Sequence, residues 1–162
     1  ISQAPTTPSA EPGLWVTGDS VILGIRSALE KYRHIELINA RVGRQLPELI
    51  EVAGNDQTHA ANSIVIFNVG NNNKITESTF VEMMNIVKNQ PQIIVINTAV
   101  PRPWRATNNE IVRSVLLRYP NATLIDWEAI SQNHPEFFAS DGVHLNPPGA
   151  NAYVSAILEK LK

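Results

Sequence analysis

Cysteine is absent from the 162-residue chain, which rules out disulfide scaffolds, thiol catalysis and cysteine-ligated zinc. No apolar run approaches the length of a membrane-crossing helix. An excess of one charge is missing too: 13 Lys+Arg against 15 Asp+Glu leave a net charge of -2, with no basic stripe for a nucleic acid. The glycine spacings of dinucleotide and P-loop sites do not occur. Nor does the G-x-S-x-G elbow of lipases, because Ile22 stands two residues after Ser20 and the next glycine is Gly24. No two of His34, His59, His134 and His144 have a ligand-like spacing, so neither metal nor cofactor is expected. A signal peptide is lacking and the first residue is Ile1 rather than Met, as expected of a piece of a longer protein.

What is present reads as one globular domain. Hydrophobic residues make up 43% and charged residues 17%, and the length suffices for a core without staples. Residues 1–13 are small, polar and proline-rich and read as a flexible linker, leaving 14–162 as the folded domain. Strand and helix patterns then alternate. Strands are expected at Leu14–Val16, Ile35–Asn39, Ser63–Val69, Ile93–Asn97 and Ala122–Asp126. The almost continuous apolar run at Ser63–Val69 suits a central parallel strand buried on both faces. Helices are expected over Val21–Tyr32, about Pro47–Ala53, Phe80–Asn89 behind a Thr79/Glu82 capping box, and Thr107–Arg118 behind a Thr107/Glu110 box. Trp127–Asn146 reads as irregular, and a last helix opens at Pro147-Pro148 with Tyr153, Val154, Ile157 and Leu161 inward. The pattern predicts an α/β fold, a three-layer α/β/α sandwich on a five-stranded parallel sheet joined by right-handed crossovers.

Ligands of such sheets bind beyond the carboxyl ends of the strands. Ser20, the Gly43 turn and the Gly70–Asn73 loop all follow strands and belong on that rim. Ser20 sits where strand passes to helix, near the helix's positive end. A serine there is commonly only a cap and needs a base, an orienting acid and an oxyanion site to be a nucleophile. Asp141-Gly142-Val143-His144 can provide the first two: residues three apart on a tight turn project together, so Asp141 orients His144 as general base toward Ser20. The backbone N–H groups of Ser20 and Gly43 and the amide of Asn72 are candidate oxyanion donors. Gly43 and the asparagines each read, singly, as ordinary turn residues. Asp19 is assigned to holding the turn, not to the triad.

Together these residues resemble the SGNH (GDSL-type) hydrolase superfamily. Gly18-Asp19-Ser20, Gly43, Gly70-Asn71-Asn72-Asn73 and Asp141-Gly142-Val143-His144 match its four blocks in order, over Leu14 to Lys162. Val21 replaces the frequent Leu, and Asn73 replaces the usual Asp of the third block. A narrower resemblance, carried by Ala40-Arg41-Val42-Gly43-Arg44-Gln45 and Val100-Pro101-Arg102-Pro103-Trp104, is to the extracellular SGNH domain of bacterial peptidoglycan O-acetyltransferases. That resemblance implies an SGNH/flavodoxin-like sheet and transfer of acetyl through Ser20 to a cell-wall glycan hydroxyl. It also implies an acetyl donor, a glycan acceptor and an upstream membrane acyltransferase domain that tethers the catalytic domain outside the cell.

Arg102, Trp104 and Asn73 are the expected substrate-binding residues, although Trp104 reads equally well as a hydrophobic plug in a proline-bracketed loop. An acetylesterase using the same triad is the alternative, because water and a sugar hydroxyl use the same machinery. A glycan-binding domain without turnover is a third reading, disfavoured by the complete set Ser20, Asp141 and His144. A monomer is expected of the isolated domain.

Overall fold

The computed structural model describes residues 11–162. The expected linker therefore lies almost wholly outside the described residues. Its last three, residues 11–13, are tied to the domain: the Pro12 carbonyl accepts from Arg33 Nη2 and the Gly13 carbonyl from the Ile64 N–H.

The chain runs β1 (Leu14–Gly18), α1 (Ser20–Glu30), β2 (Ile35–Ala40), α2 (Leu46–Asp56), β3 (Ile64–Asn68), α3 (Glu77–Val87), β4 (Ile93–Ile96), α4 (Arg105–Leu116), β5 (Ala122–Ile125), α5 (Trp127–Ser131) and α6 (Pro147–Lys160). Short 3-10 turns lie at Gln57–His59 and Pro135–Phe137. The five strands form one all-parallel sheet in the order β2-β1-β3-β4-β5. Alternation along β3 explains its continuous apolar run. Val65 and Phe67 pack under α2, α3 and α4 with Trp15, Phe80, Met83 and Val112. Ile64 and Ile66 pack under α1 and α6 with Ile22, Ile25, Tyr153 and Ile157. Truncating a fully buried aromatic such as Phe67 to Ala costs about 3–5 kcal/mol.

The strand order reverses beside β1: the chain leaves it for β2 through α1, then returns across to β3 through α2. Loops leaving β1 and β3 therefore part in opposite directions and open a crevice at the carboxyl ends of those two strands. The first and third sequence blocks sit on those two loops.

Two capping boxes are corrected. The third helix opens earlier because Thr76, not Thr79, is its N-cap; Thr76 Oγ1 accepts from the Thr79 N–H at 3.2 Å. The fourth starts at Arg105, where the Trp104 carbonyl already takes the Asn108 N–H, so Thr107 falls inside the first turn. The stretch expected to be irregular contains α5, capped by Asp126 through the Ala129 N–H. Leu161 terminates α6 and is only partly buried. Other boundaries differ from expectation by one to three residues, the ordinary fraying of element ends.

Candidate active site

The Ser20 side chain stands on the first residue of α1, directly above β1. Its Oγ lies 2.9 Å from His144 Nε2, across 124 residues of sequence. His144 Nδ1 lies 2.5 Å from Asp141 Oδ2. With the proton on Nδ1 facing the carboxylate, Nε2 is left as the acceptor for the serine O–H. Asp141 Oδ1 also receives the N–H groups of Val143 (2.9 Å) and His144 (3.0 Å), so the acid grips the turn that carries the imidazole. Bonding to His144 first, then to these two N–H groups, lowers the Asp141 pKa to about 2. Both side chains are about half exposed, at 52% for His144 and 46% for Asp141, so the row of three opens to solvent.

The turn itself has a firm base. Ala139 donates to the His144 carbonyl and Asn146 to the Phe137 carbonyl, each at 2.8 Å, and Phe138 bridges Leu145 in antiparallel fashion. Gly149 lets α6 approach this base, since a Cβ there would lie 2.2 Å from the Phe137 carbonyl oxygen.

Asp19 is the hub of the neighbouring loops. It is the N-cap of α1, and its buried carboxylate accepts four N–H groups. Oδ1 takes the Val21 backbone N–H (2.9 Å) and Asn68 Nδ2 (2.7 Å). Oδ2 takes Asn71 Nδ2 (2.8 Å) and Asn72 Nδ2 (3.1 Å). The Asp19 N–H in turn donates to Asn68 Oδ1. A Cβ on residue 18 would lie 2.0 Å from Asn68 Oδ1, and Gly18 has φ +147°, so only glycine fits below the serine. Burial first, then the nearby Asp19 charge, raises the Tyr153 phenol well above its usual range.

The candidate oxyanion donors differ in their availability. The N–H groups of Ser20 and Gly43 have no acceptor among the described residues. Gly43 has φ +75° with open space over its Cα, as close approach to a bound group requires. Asn72, by contrast, has its two amide protons directed at Asp19 Oδ2 and the Arg44 carbonyl, each at 3.1 Å. Its participation in an oxyanion site requires one of those bonds to give way.

Asn73 spans the cleft mouth, donating from Nδ2 to Gln45 Oε1 at 3.0 Å. Arg102 is exposed and bonds to its own neighbour's carbonyl, Pro101, whose ring packs against Gly142 of the His144 turn. The half-buried Trp104 has its indole N–H buried without a partner, so it fits the plug as well as the platform. Neither touches Ser20 through a hydrogen bond.

The sequence offered weaker signals for the supports. Asn68 is the one polar residue at the end of an apolar strand, and Asn108-Asn109 is a buried polar pair in a helix. Asn108 Nδ2 holds the Gly70 and Asn73 carbonyls, while Asn109 holds both backbone groups of Thr98. On the Gly43 side, Glu48 binds Arg41 through three contacts of 2.7–3.1 Å and Arg44 at 3.2 Å. Bonding to Arg41 first, outweighing the opposing effect of burial, keeps the Glu48 carboxyl below its usual range. Among the described residues no group of three or more His, Asp or Glu side chains is placed to hold a metal ion. No helix there is long and apolar enough to cross a membrane.

No family model matches the chain. Individual proteins do. The chain is 36% identical over 141 residues to the peptidoglycan O-acetyltransferase OatA of Listeria monocytogenes, covering 86% of this chain and 22% of that protein. It is 34% identical over 146 residues to YrhL of Bacillus subtilis, covering 90% of this chain and 23% of that one. The chain thus spans under a quarter of the length of these relatives. Among solved structures, the C-terminal catalytic domain of Streptococcus pneumoniae OatA, which carries a methylsulfonyl adduct, superposes with a TM-score of 0.74 at 25% identity, covering 93% of each chain. An SGNH hydrolase from Slackia heliotrinireducens superposes with a TM-score of 0.75 at 16% identity, covering 94% of this chain and all of that one. The sequence relatives are thus peptidoglycan O-acetyltransferases, and the fold is the SGNH α/β fold.

Proposed function

We propose that this chain is the catalytic domain of a peptidoglycan O-acetyltransferase, working through an acetyl-serine at Ser20. The observation that carries the reading is the continuous row Ser20–His144–Asp141, with the Ser20 N–H at the start of α1 lacking an acceptor among the described residues. The acetyltransferase relatives support the choice of group transferred.

In the first half-reaction Ser20 Oγ attacks the acetyl carbonyl while its proton passes to His144 Nε2. The Ser20 and Gly43 N–H groups receive the developing oxyanion, joined by Asn72 once its bond to the Arg44 carbonyl lengthens. Collapse breaks the bond to the leaving group, which takes the proton from Nε2. A sugar hydroxyl then gives its proton to Nε2 and attacks the acetyl-serine carbonyl. The second collapse returns the proton to Ser20 and leaves an acetylated sugar. Asp141 stays ionised throughout and stabilises the imidazolium.

Exposure of His144 and Asp141 favours a second outcome, in which water replaces the sugar and the domain acts as an acetylesterase. Incubation with an acetyl-ester donor and a chito-oligosaccharide, read by mass spectrometry, separates the two. Acetylated sugar is expected; free acetate alone would leave the esterase. A methanesulfonyl reagent is expected to label Ser20, and Ser20→Ala and His144→Ala to abolish turnover in folded protein. Wild-type rate in either variant would overturn the assignment.

We further propose that residues 14–162 form the catalytic unit, preceded by a linker and by membrane-embedded machinery that holds the domain outside the cell. The greater length of the relatives is consistent with further domains.

A further inference from the structure

Between the loop after β4 and the segment running from α5 to Phe138 lies an open cavity of about 380 Å³, within the roughly 300–1,000 Å³ of small-ligand pockets. Its lining includes Ala99, Arg105, Glu128, Gln132 and Phe138. The cavity adjoins the turn that carries acid and base. Ala99 and Phe138 also line a small space with Gly142 and Val143, and Pro101 packs on Gly142. Ser20 follows β1, whereas Ala99 follows β4 and α5 follows β5, two and three strands along the sheet. At about 4.8 Å per strand, the cavity lies roughly 10–15 Å along the rim from the nucleophile. That is beyond a sugar ring whose hydroxyl meets an acetyl-serine, and within reach of a neighbouring ring of the same glycan.

The walls are balanced in charge and mixed in hydrogen-bonding sense. Arg105 Nε pairs with Glu128 Oε2 at 3.0 Å, so the cation and the anion of the lining offset each other. With side chains 44% and 39% exposed, the pair keeps guanidinium N–H groups as donors and carboxylate lone pairs as acceptors. Gln132 is exposed; its backbone N–H bonds to the Ala129 carbonyl, while its side-chain amide has no partner among the described residues and offers both senses. The half-buried Phe138, edge-on to Trp127 with ring centres 6.1 Å apart, adds an apolar ring. A neutral sugar matches this set, since each hydroxyl both donates and accepts and the C–H face of the ring packs on an apolar surface. An anion would face Glu128, and an apolar chain would strip water from the ion pair.

We propose that this cavity is an accessory glycan subsite, which holds an uncharged sugar one or two rings along the chain from the one that Ser20 acetylates. It rests on the reading of Ser20 as donor of an acetyl group to a glycan, and adds that the domain grips more than the reacting sugar. The grip has a chemical use. His144 is open to solvent, so water competes with the sugar for the acetyl-serine. A glycan anchored at a second point keeps its hydroxyl at the reacting carbon for longer, an advantage that water lacks.

The test is calorimetric titration of chitohexaose into the wild-type protein and into Gln132→Ala and Arg105→Ala, both changes of exposed side chains. Methanesulfonyl labelling of Ser20 is measured on the wild-type samples. Each substitution is expected to weaken the hexamer about fivefold, the scale of one hydrogen bond. In the wild-type protein the hexamer should also shift the backbone amide NMR signals of Ser131, Gln132 and Phe138. With an acetyl-ester donor and the hexamer as acceptor, the ratio of acetylated sugar to free acetate should fall in Gln132→Ala by a similar factor. No binding of the hexamer, affinity unchanged in both variants, or amide shifts that avoid these residues would overturn the subsite. Failure of Ser20 to label in a protein that binds the hexamer through this cavity would sink acyl transfer instead, so the two readings fail separately.

Discussion

Replacing Asp19 with Asn tests whether this residue is a helix cap or the hub of the site. Asn is as good an N-cap as Asp, so a mere cap would tolerate the change nearly unaltered. The structure gives a different answer. Four N–H groups converge on the two carboxylate oxygens, two on each. An asparagine keeps one oxygen and turns an NH2 group toward the other pair of donors. Flipping the Asn71 amide relieves one clash, but Asn71 Oδ1 now accepts the Thr98 hydroxyl at 2.6 Å, and that proton would then lose its acceptor. At least two part-buried donors remain unmet, each at about 1–3 kcal/mol, so a loss of about 2–6 kcal/mol of stability is expected. Urea unfolding measures it, and labelling at Ser20 should slow because the loop bearing Asn72 loses its anchor. A stability change below about 0.5 kcal/mol with full labelling rate would refute the hub and leave only the cap.

Other perturbations probe separate parts of the site. Gly18→Ala places a Cβ 2.0 Å from Asn68 Oδ1 on a positive-φ backbone, so a loss of about 3 kcal/mol or more is expected in thermal or urea unfolding. The depressed Asp141 carboxyl, about 2, has its stabilising effect in place above the unfolded value near 4 and loses it only as pH falls through about 2. Its carboxyl NMR signal should therefore not titrate near pH 4, and an acid limb of the rate profile above pH 2 would belong to another group. Asp141→Asn is expected to reduce kcat on the order of 10³–10⁴-fold while the serine remains in place, as measured by acetate release. Glu48→Gln releases Arg41 and Arg44 on either side of Gly43, so amide hydrogen exchange at Gly43 and Arg44 should quicken.

The β-α alternation was legible because burial on both faces leaves apolar runs such as Ile64–Asn68, and amphipathic helices leave periodic ones. The helix starts at Thr76 and Arg105 were harder. Thr76, Ser78 and Thr79 compete for the first N-cap, and the second is held by Trp104, which offers no side-chain capping bond for a sequence pattern to find. Ser20, Asp141 and His144 could be nominated because their residue types carry chemistry and the sheet's rim gathers them. The supports were hidden for the opposite reason: Asn68, Asn71, Arg44 and Glu48 act by bonds between residues distant in sequence, and an isolated asparagine looks like any turn residue. Asn72 is the instructive case. Its type suggested a donor ready for an oxyanion, whereas its neighbours hold both amide protons in place.

The Asp141–His144 turn has a mechanical consequence. Acid and base ride on one short pinned loop, whereas the nucleophile stands at the start of α1, over the carboxyl end of an internal strand. Displacement of that loop would carry the imidazole and its carboxylate together, like a plug drawn from a socket. The internal bond of the pair would survive while the 2.9 Å contact to Ser20 parted. Disengagement would then register as a change at the serine-facing nitrogen, with the carboxylate-facing proton still held.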